Sequence, residues 1–376
     1  MGRRSDQSVV VVELLRFVCA MAVMAKHYGH GFWRVREPRQ AALLDGIFYR
    51  APGESVFQFG WLGVEIFFVI SGLMIARSAA GSDARGFIRR RVLRLAPAAW
   101  VSATTTLVAL VAAVGISDDL LADWARSITF WPIGPQIDPS YWTLGIELAF
   151  YLVIAAFLGA AGSAQRIERT GAGIGLASGL FWVGCFAIGP AAGALPNDRI
   201  LQLLLLPFGC CFALGIVIAL WQADGGTFGR TLGLAALLAV CELEVTVRAN
   251  QHPGVNGLPA APGKSMVIFT AAVAVLILAD RIQPALTRWI RPAAARTLGR
   301  MTYPLYLVHQ QLGAVVVAVA VSVGAAPGFA LLAAVAASLA TAWLIMRAEP
   351  AVRNGLAHVL AGKRVAGVPR VSPSAD

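Results

Sequence analysis

Ten apolar segments, each of a length that can cross a bilayer as a helix, recur along the chain. They lie at 8–29, 56–76, 95–115, 141–161, 172–194, 200–222, 231–247, 263–280, 302–322 and 328–347. Hydrocarbon offers no partner to backbone N–H and C=O groups, so segments of about 20 apolar residues are forced into helices that satisfy their own backbone. The expected fold is an all-α integral membrane protein of about ten transmembrane helices. Composition agrees, with 58% hydrophobic and only 14% charged residues, where soluble domains carry about 25% charged. The count turns on two places: the short segment 231–247, which holds Glu242 and Glu244, and the division of 172–222 at Pro196-Asn197-Asp198. Nine and eleven spans stay open.

Net charge is +11, and of the 31 basic residues only Lys26, Lys264 and Lys363 are lysine. Such a balance suits nucleic acid or a membrane surface. Here the basic residues gather on one side of the expected spans, so topology and contacts to anionic membrane lipids explain them and no nucleic-acid partner is expected. With the N-terminus inside, 21 basic residues fall in inner segments and 9 in outer ones. Basic residues concentrate on the cytoplasmic side of membrane proteins, so both termini are expected to be cytoplasmic. Trp33, Trp61, Trp124, Trp131 and Trp142 then fall near the outer span ends, where aromatic side chains bridge lipid and water.

The opening MGRR followed by an apolar run has the outline of a signal peptide. Glu13 and Arg16 would interrupt its apolar region, so the run is expected to be a retained first span. Cys19, Cys185, Cys210, Cys211 and Cys241 sit in apolar runs without ligand spacing and read as small core residues, so no metal site is expected. Residues 1–347 form one expected transmembrane domain. Residues 348–376 form a short basic tail that ends in GKRVAGVPRVSPSAD and is expected to be disordered.

The chemistry gathers first in the stretch ELLRFVCAMAVMAKHYGH at 13–30. Arg16 and His27 are eleven residues apart. That is about three helical turns, so both fall on one stripe roughly 16 Å apart along the axis. Either the pair lines a path through the membrane, or Arg16 reaches back to the interface and His27 ends the helix in water. Glu65 and Glu147 each follow an aromatic span start, at WLGVE and YWTLGIE, which places both about two turns below the outer surface and near the depth of His27. Glu65 has a second reading, as a buried carboxylate held protonated or paired with Lys26. RRRVLRLAP at 89–97 brings arginines to the inner surface, with Arg91 and Arg94 sharing a face at i,i+3. Guanidinium forks suit phosphate oxygens, and they equally suit anionic lipid. The second reading is preferred for Arg89 and Arg90, the first for Arg94. His309, early in an outward-running span, is expected in the inner half near the level of Arg16. It serves there either as a ligand contact or as a satisfied core histidine.

Five blocks together carry a resemblance: Arg16-x10-His27, GVEIFFVISGLMI at 63–75, RRRVLRLAP, WTLGIELAFY at 142–151 and YPLYLVH at 303–309. In this order they resemble the membrane-bound acyltransferase 3 family, which includes O-acetyltransferases of bacterial polysaccharides, lipopolysaccharide O-antigen and exopolysaccharide. The resemblance implies about ten helices that move acyl groups from cytoplasmic acyl-CoA to extracytoplasmic acceptors. By the same token Arg16 and His27 match the family's essential pair, and Arg91-x-x-Arg94 matches its Arg-x-x-Arg motif. Glu13 and Glu65 stand where aspartate is common, and Pro304 where serine is frequent. No soluble esterase-like domain of the kind some members carry after the helices is expected.

The expected function is therefore an inner-membrane O-acyltransferase of a bacterium, with acetyl-CoA as co-substrate, no bound cofactor and a glycan or glycolipid acceptor. His27, Arg16, Glu147 and Glu65 are the expected catalytic residues. Arg91, Arg94 and His309 are expected on the donor side. A secondary transporter or glycolipid flippase would also line a path with ionisable groups, but it would consume no acyl-CoA and leave no ester. Neither the acceptor nor the oligomeric state follows from the sequence.

Overall fold

A computed structural model describes residues 9–34, 37–79, 81–159, 162–251 and 259–361. Twelve helices of more than ten residues carry the fold: α1 (Val9–Lys26), α2 (Leu62–Ala79), α3 (Ala84–Val114), α4 (Asp118–Ile128), α5 (Trp142–Leu158), α6 (Ala164–Ile188), α7 (Gly209–Asp224), α8 (Phe228–Gln251), α9 (Pro262–Ile277), α10 (Ala279–Trp289), α11 (Pro292–Ser322) and α12 (Pro327–Ala361). No strand occurs among the described residues. A helix stands at each of the ten positions where an apolar segment predicts one.

Among the described residues, six helices are long and apolar enough to cross a membrane, or up to seven if α9 and α10 are taken as one broken span. The others fall short for physical reasons visible in their residues. In α1, Glu13, Arg16 and Lys26 interrupt the apolar run. The 16-residue α7 is too short, and α8 carries Glu242, Glu244 and Arg248. After α9 the chain bends by 85° into α10, which bears Asp280, Arg281 and Arg288 and reads as a helix lying across the axis of its neighbour. Arginines 89–94 lie in the first turns of α3, whose start is capped by Asp83 Oδ1 accepting from Gly86 N. A capped, charged start joined to an apolar body anchors a helix at an interface.

The helices pack in two groups. α11, α12, α1 and α3 form one, while α7, α2, α6, α8 and α9 form the other, with α1 against α2 joining them. In the second group α2 and α7 touch backbone to backbone. A Cβ on Gly72 would lie 2.0 Å from Phe212 O, and one on Gly215 would lie 1.9 Å from Val69 O. Only a missing side chain permits that approach, which is how close helix pairs form where lipid gives no hydrophobic drive. Phe68, Phe150 and Phe212 stack around the contact, with ring centroids 4.1–4.8 Å apart in the Phe150–Phe212 and Phe68–Phe212 pairs. Leu152, Phe157, Leu176, Leu180, Phe186, Phe329 and Leu332 instead face outward. That apolar girdle belongs against lipid.

The helix that begins at Pro327 continues to Ala361, past the boundary expected at 347. The rest of the expected tail, from 362 on, and residues 252–258, between the expected spans 231–247 and 263–280, lie outside the described residues.

Candidate active site

A cavity of about 530 Å³ opens between the two helix groups, lined from α1, α2, α3, α5, α11 and α12. At one end it is walled by Arg90, Arg91, Arg94, Arg300 and Arg353, with Glu13 and Arg16 beside them. Deeper, its lining turns apolar and aromatic, with Val64, Phe67, Met74, Leu144 and Tyr306. A polar mouth that leads to an apolar bore suits an amphipathic ligand with a charged end.

The arginines differ in how they are held. Arg91 Nη2 donates to Ser78 Oγ at 2.8 Å, and its guanidinium lies 5.4 Å from the Phe87 ring centroid and 5.7 Å from that of Tyr151. It is fixed in place as part of the wall. Arg94, one turn on, is exposed and makes no hydrogen bond or ion pair among the described residues. Its five donors are free for an anion. Arg16 Nη1 lies 3.3 Å from Glu13 Oε2, and a Cβ on Gly299 would lie 1.6 Å from that same carboxylate oxygen. Glycine on α11 is what lets Glu13 reach the arginine. Arg300 and Arg353 share Glu349, at 3.7 Å and 3.3 Å.

Glu147 belongs to this cavity rather than to the level of His27. Ser71 Oγ donates to Glu147 Oε1 at 3.3 Å, Tyr151 OH donates to the same oxygen, and the carboxylate lines the cavity with Arg16, Arg91 and Arg94. Ser71 lies six residues beyond Glu65 on α2, so Glu147 sits about 9 Å deeper than the expected shared layer.

Glu65 also departs from expectation. Val64, Phe67, Ser71 and Met74 recur at helical spacing and line the cavity, and Glu65, rotated about 100° from Val64, points away from it into the helix group that α2 shares with α7 and α8. It is buried, 3.8 Å from Arg248 Nε, and approached by Cys211 Sγ at 4.0 Å. It contacts neither His27 nor Lys26.

The largest correction concerns His309. Expected near the inner arginines, it lies against His27, with Nε2 3.1 Å from His27 Nδ1 and ring centroids 5.0 Å apart. The reason is helix length. α11 starts at Pro292, so His309 stands seventeen residues, or about 25 Å, above its beginning. His27 opens a π-helical turn (His27–Gly31) at the end of α1, a local widening that is frequent at functional sites. Tyr28, the next residue, donates its hydroxyl proton to His309 O at 2.6 Å and pins the two helices together.

The hydrogen bonds decide the tautomers. His309 Nδ1 faces two backbone carbonyls, Tyr306 O at 2.9 Å and Leu305 O at 3.2 Å. Carbonyls only accept, so Nδ1 carries the proton and Nε2 keeps its lone pair. That lone pair accepts the Nδ1–H of His27. The basic nitrogen of His27 is then Nε2, which makes no hydrogen bond among the described residues. Tyr306 links this pair to the cavity. Its ring lines the bore, packs edge-on to Phe67 at 5.7 Å and lies 6.0 Å from the His309 ring.

Sequence reasoning missed several lining groups. Tyr303 OH is buried without a hydrogen-bond partner and its residue lines the cavity. A buried hydroxyl left unpaired there is a donor awaiting a ligand. Tyr303 and Tyr151 lay inside the quoted blocks, but a tyrosine in an aromatic run gives no sign of which way its hydroxyl points. Arg300 and Arg353 sit in ordinary basic stretches, and only the packing of α11 against α12 brings them to the mouth.

A many-helix bundle with apolar outer faces, enclosing a cavity that is cationic at one end, defines a membrane protein built around an internal amphipathic site. Its family follows from comparison. The acyltransferase domain profile of the acyltransferase 3 family matches residues 9–347, so the chain belongs to that family. It is 30% identical over 185 residues to the regulator of hypoxia-inducible factor 1 of Caenorhabditis elegans, covering 39% of this chain and 34% of that protein. It is 28% identical over 169 residues to nodulation protein 10 of Rhizobium leguminosarum bv. viciae, covering 39% of this chain and 43% of that protein. The matches thus span less than half the length of both curated relatives. No solved structure matches the chain.

Proposed function

We propose that the protein is an O-acyltransferase of a bacterial inner membrane that takes an acetyl group from cytoplasmic acetyl-CoA and esterifies a hydroxyl of a glycan or glycolipid. The observation that carries this reading is the continuity from the arginine mouth, through the apolar bore and Tyr306, to the His27–His309 pair. The mouth faces the cytoplasm and holds the nucleotide phosphates, with Arg94 the freest cation and Arg91 a fixed wall group. The acyl-pantetheine arm occupies the bore, with Arg16 beside the phosphates at its mouth, and Tyr303 OH faces the thioester oxygen, where negative charge grows in the transition state.

Transfer proceeds by attack of the acceptor hydroxyl on the thioester carbon. His27 Nε2 removes the hydroxyl proton as the C–O bond forms, the C–S bond breaks, and the imidazolium returns its proton to the departing thiolate. His309 does not touch the substrate. It holds His27 in the tautomer whose outward nitrogen is basic. Glu147 steadies Tyr151, which in turn lies against Arg91, so its role is on the donor side and not as the base. Glu65 has no part in the transfer.

His27→Ala tests the reading. A general base typically contributes 10²–10⁴ in rate, so the variant should lose acceptor acylation while still binding acetyl-CoA, measured by calorimetry on the purified protein. A folded, donor-binding variant that acylates at a tenth of the parent rate or faster would remove His27 from the mechanism. Mass spectrometry of surface glycans from a deletion strain identifies the acceptor by the ester that disappears.

A further inference from the structure

Away from the cavity, in the second helix group, three cysteines and a carboxylate converge. Cys210 and Cys211 lie in the first turn of α7, and Cys241 and Glu244 share a face of α8 at i,i+3 spacing. Their four ligand atoms all lie within 4.8 Å of one another, and all four residues are fully buried. Glu244 Oε2 is 3.2 Å from Cys210 Sγ and 3.3 Å from Cys211 Sγ. All three cysteines are free thiols.

We propose that Cys210, Cys211, Cys241 and Glu244 bind a zinc ion that joins α7 to α8. Tetrahedral zinc sits about 2.3 Å from sulfur and about 2.1 Å from a carboxylate oxygen, which sets its ligand atoms roughly 3.5–3.8 Å apart. The present cluster contracts to that shape by small shifts. Three sulfurs exclude the hard cations Ca²⁺ and Mg²⁺, and the carboxylate favours Zn²⁺ over Cu⁺, which prefers sulfur alone.

Three further observations point to a ligand. The cysteine pair sits in the first turn of α7, where the aligned peptide dipoles of the helix favour a negatively charged ligand set. Ser178 Oγ is buried with no hydrogen-bond partner, and its Cβ lies 3.1 Å from where a Cβ on Gly209 would stand, beside the same turn. One arginine, Arg248, faces two buried carboxylates, Glu244 at 3.3 Å and Glu65 at 3.8 Å, which leaves the cluster short of positive charge. Arg248 also lines a separate cavity of about 460 Å³ with Trp142, Gln202 and Arg199, and this provides an entry route. Binding replaces the thiol protons with the metal and releases them to solvent. Arg248 then orients the Glu244 ligand from behind and offsets part of the thiolate charge. Through Arg248 and Glu65 the site also bears on α2, whose opposite face lines the donor cavity.

The test uses full-length protein carrying a streptavidin-binding tag, purified in detergent, with metal content read by mass spectrometry. About one zinc per chain is expected. The Cys210→Ala/Cys211→Ala/Cys241→Ala variant should hold none, and the Cys19→Ala/Cys185→Ala variant should keep it. Because the triple variant removes core groups, the parent provides a second readout. After chelation and reloading with Co²⁺ it should show thiolate-to-cobalt charge-transfer absorption and the visible bands of a tetrahedral ion. A chelated parent that takes up neither Zn²⁺ nor Co²⁺, Co²⁺ bound without charge transfer, or zinc retained equally by the triple variant would each overturn the site. None of these readouts depends on acyl transfer.

Discussion

At the scale of single residues, His27 and His309 act as a unit because each nitrogen has one chemically allowed role. His309→Phe removes the acceptor that holds the His27 Nδ1 proton, so His27 is free to present either nitrogen to the acceptor. We expect kcat to fall about 10²-fold or more with the KM for acetyl-CoA little changed. His309→Gln, whose amide oxygen can accept the same proton, should recover part of the loss, and equal kcat values for the two variants would assign His309 to packing alone. The two arginines of the Arg-x-x-Arg motif also separate at this scale. Losing a charge-assisted hydrogen bond costs about 1.5–3 kcal/mol, so Arg94→Ala should raise the dissociation constant for acetyl-CoA about ten- to a hundred-fold. Arg89→Ala, outside the cavity lining, should leave it near the parent value. Isothermal titration decides between them, and equal affinities for both variants and the parent would take Arg94 out of the donor site. For Tyr303, removing one donor to a developing oxyanion costs about 10²–10³ in kcat. Tyr303→Phe is therefore expected to slow single-turnover transfer while donor binding holds.

At the scale of elements, α2 and α7 hold the second helix group together because glycines permit backbone contact. At Gly72 a Cβ would fall 2.0 Å from a carbonyl oxygen of α7, so even alanine must push α2 and α7 apart. Overpacking of this kind costs about 1–3 kcal/mol. Gly72→Ala should lower the thermal midpoint of the detergent-solubilised protein by several degrees. Gly233→Ala, in α8, meets nothing within 4 Å and should be neutral or slightly stabilising, since alanine is the better helix former. A Gly72→Ala protein as stable as the Gly233→Ala protein would mean that the two helices are not in direct contact. Element length also accounts for what the sequence misjudged. The apolar part of α11 is expected to begin near 302, but the helix itself begins at Pro292, and the ten residues before 302 carry His309 from the expected inner half to His27.

For the whole molecule, sidedness rests on the distribution of charge. With the arginine mouth in the cytoplasm, a cysteine at Arg85 should be protected from an impermeant thiol reagent in intact cells, and one at the exposed Ile133 should react. The five native cysteines are buried and need not be removed. The reverse labelling pattern would invert the orientation and put the donor site on the wrong side for acyl-CoA.

The helical fold and the presence of a helix at each of the ten apolar segments were legible in the sequence, because hydrocarbon leaves a long apolar run no other way to satisfy its backbone. So was the arginine start of α3, since a charged, capped helix start has to sit at an interface. Periodicity put Arg16 and His27 on one stripe because both belong to a single helix. What it could not supply was rotation and depth between helices. Glu65 and Glu147 look equivalent along the chain, yet α2 turns one carboxylate toward Arg248 while α5 lowers the other to the arginines. The cysteines carry no ligand spacing, because Cys210 and Cys211 meet Cys241 only through the packing of α7 on α8. Contacts between residues hundreds of positions apart depend on how glycine-lined helix faces seat against each other, and that fit is a property of surfaces in three dimensions.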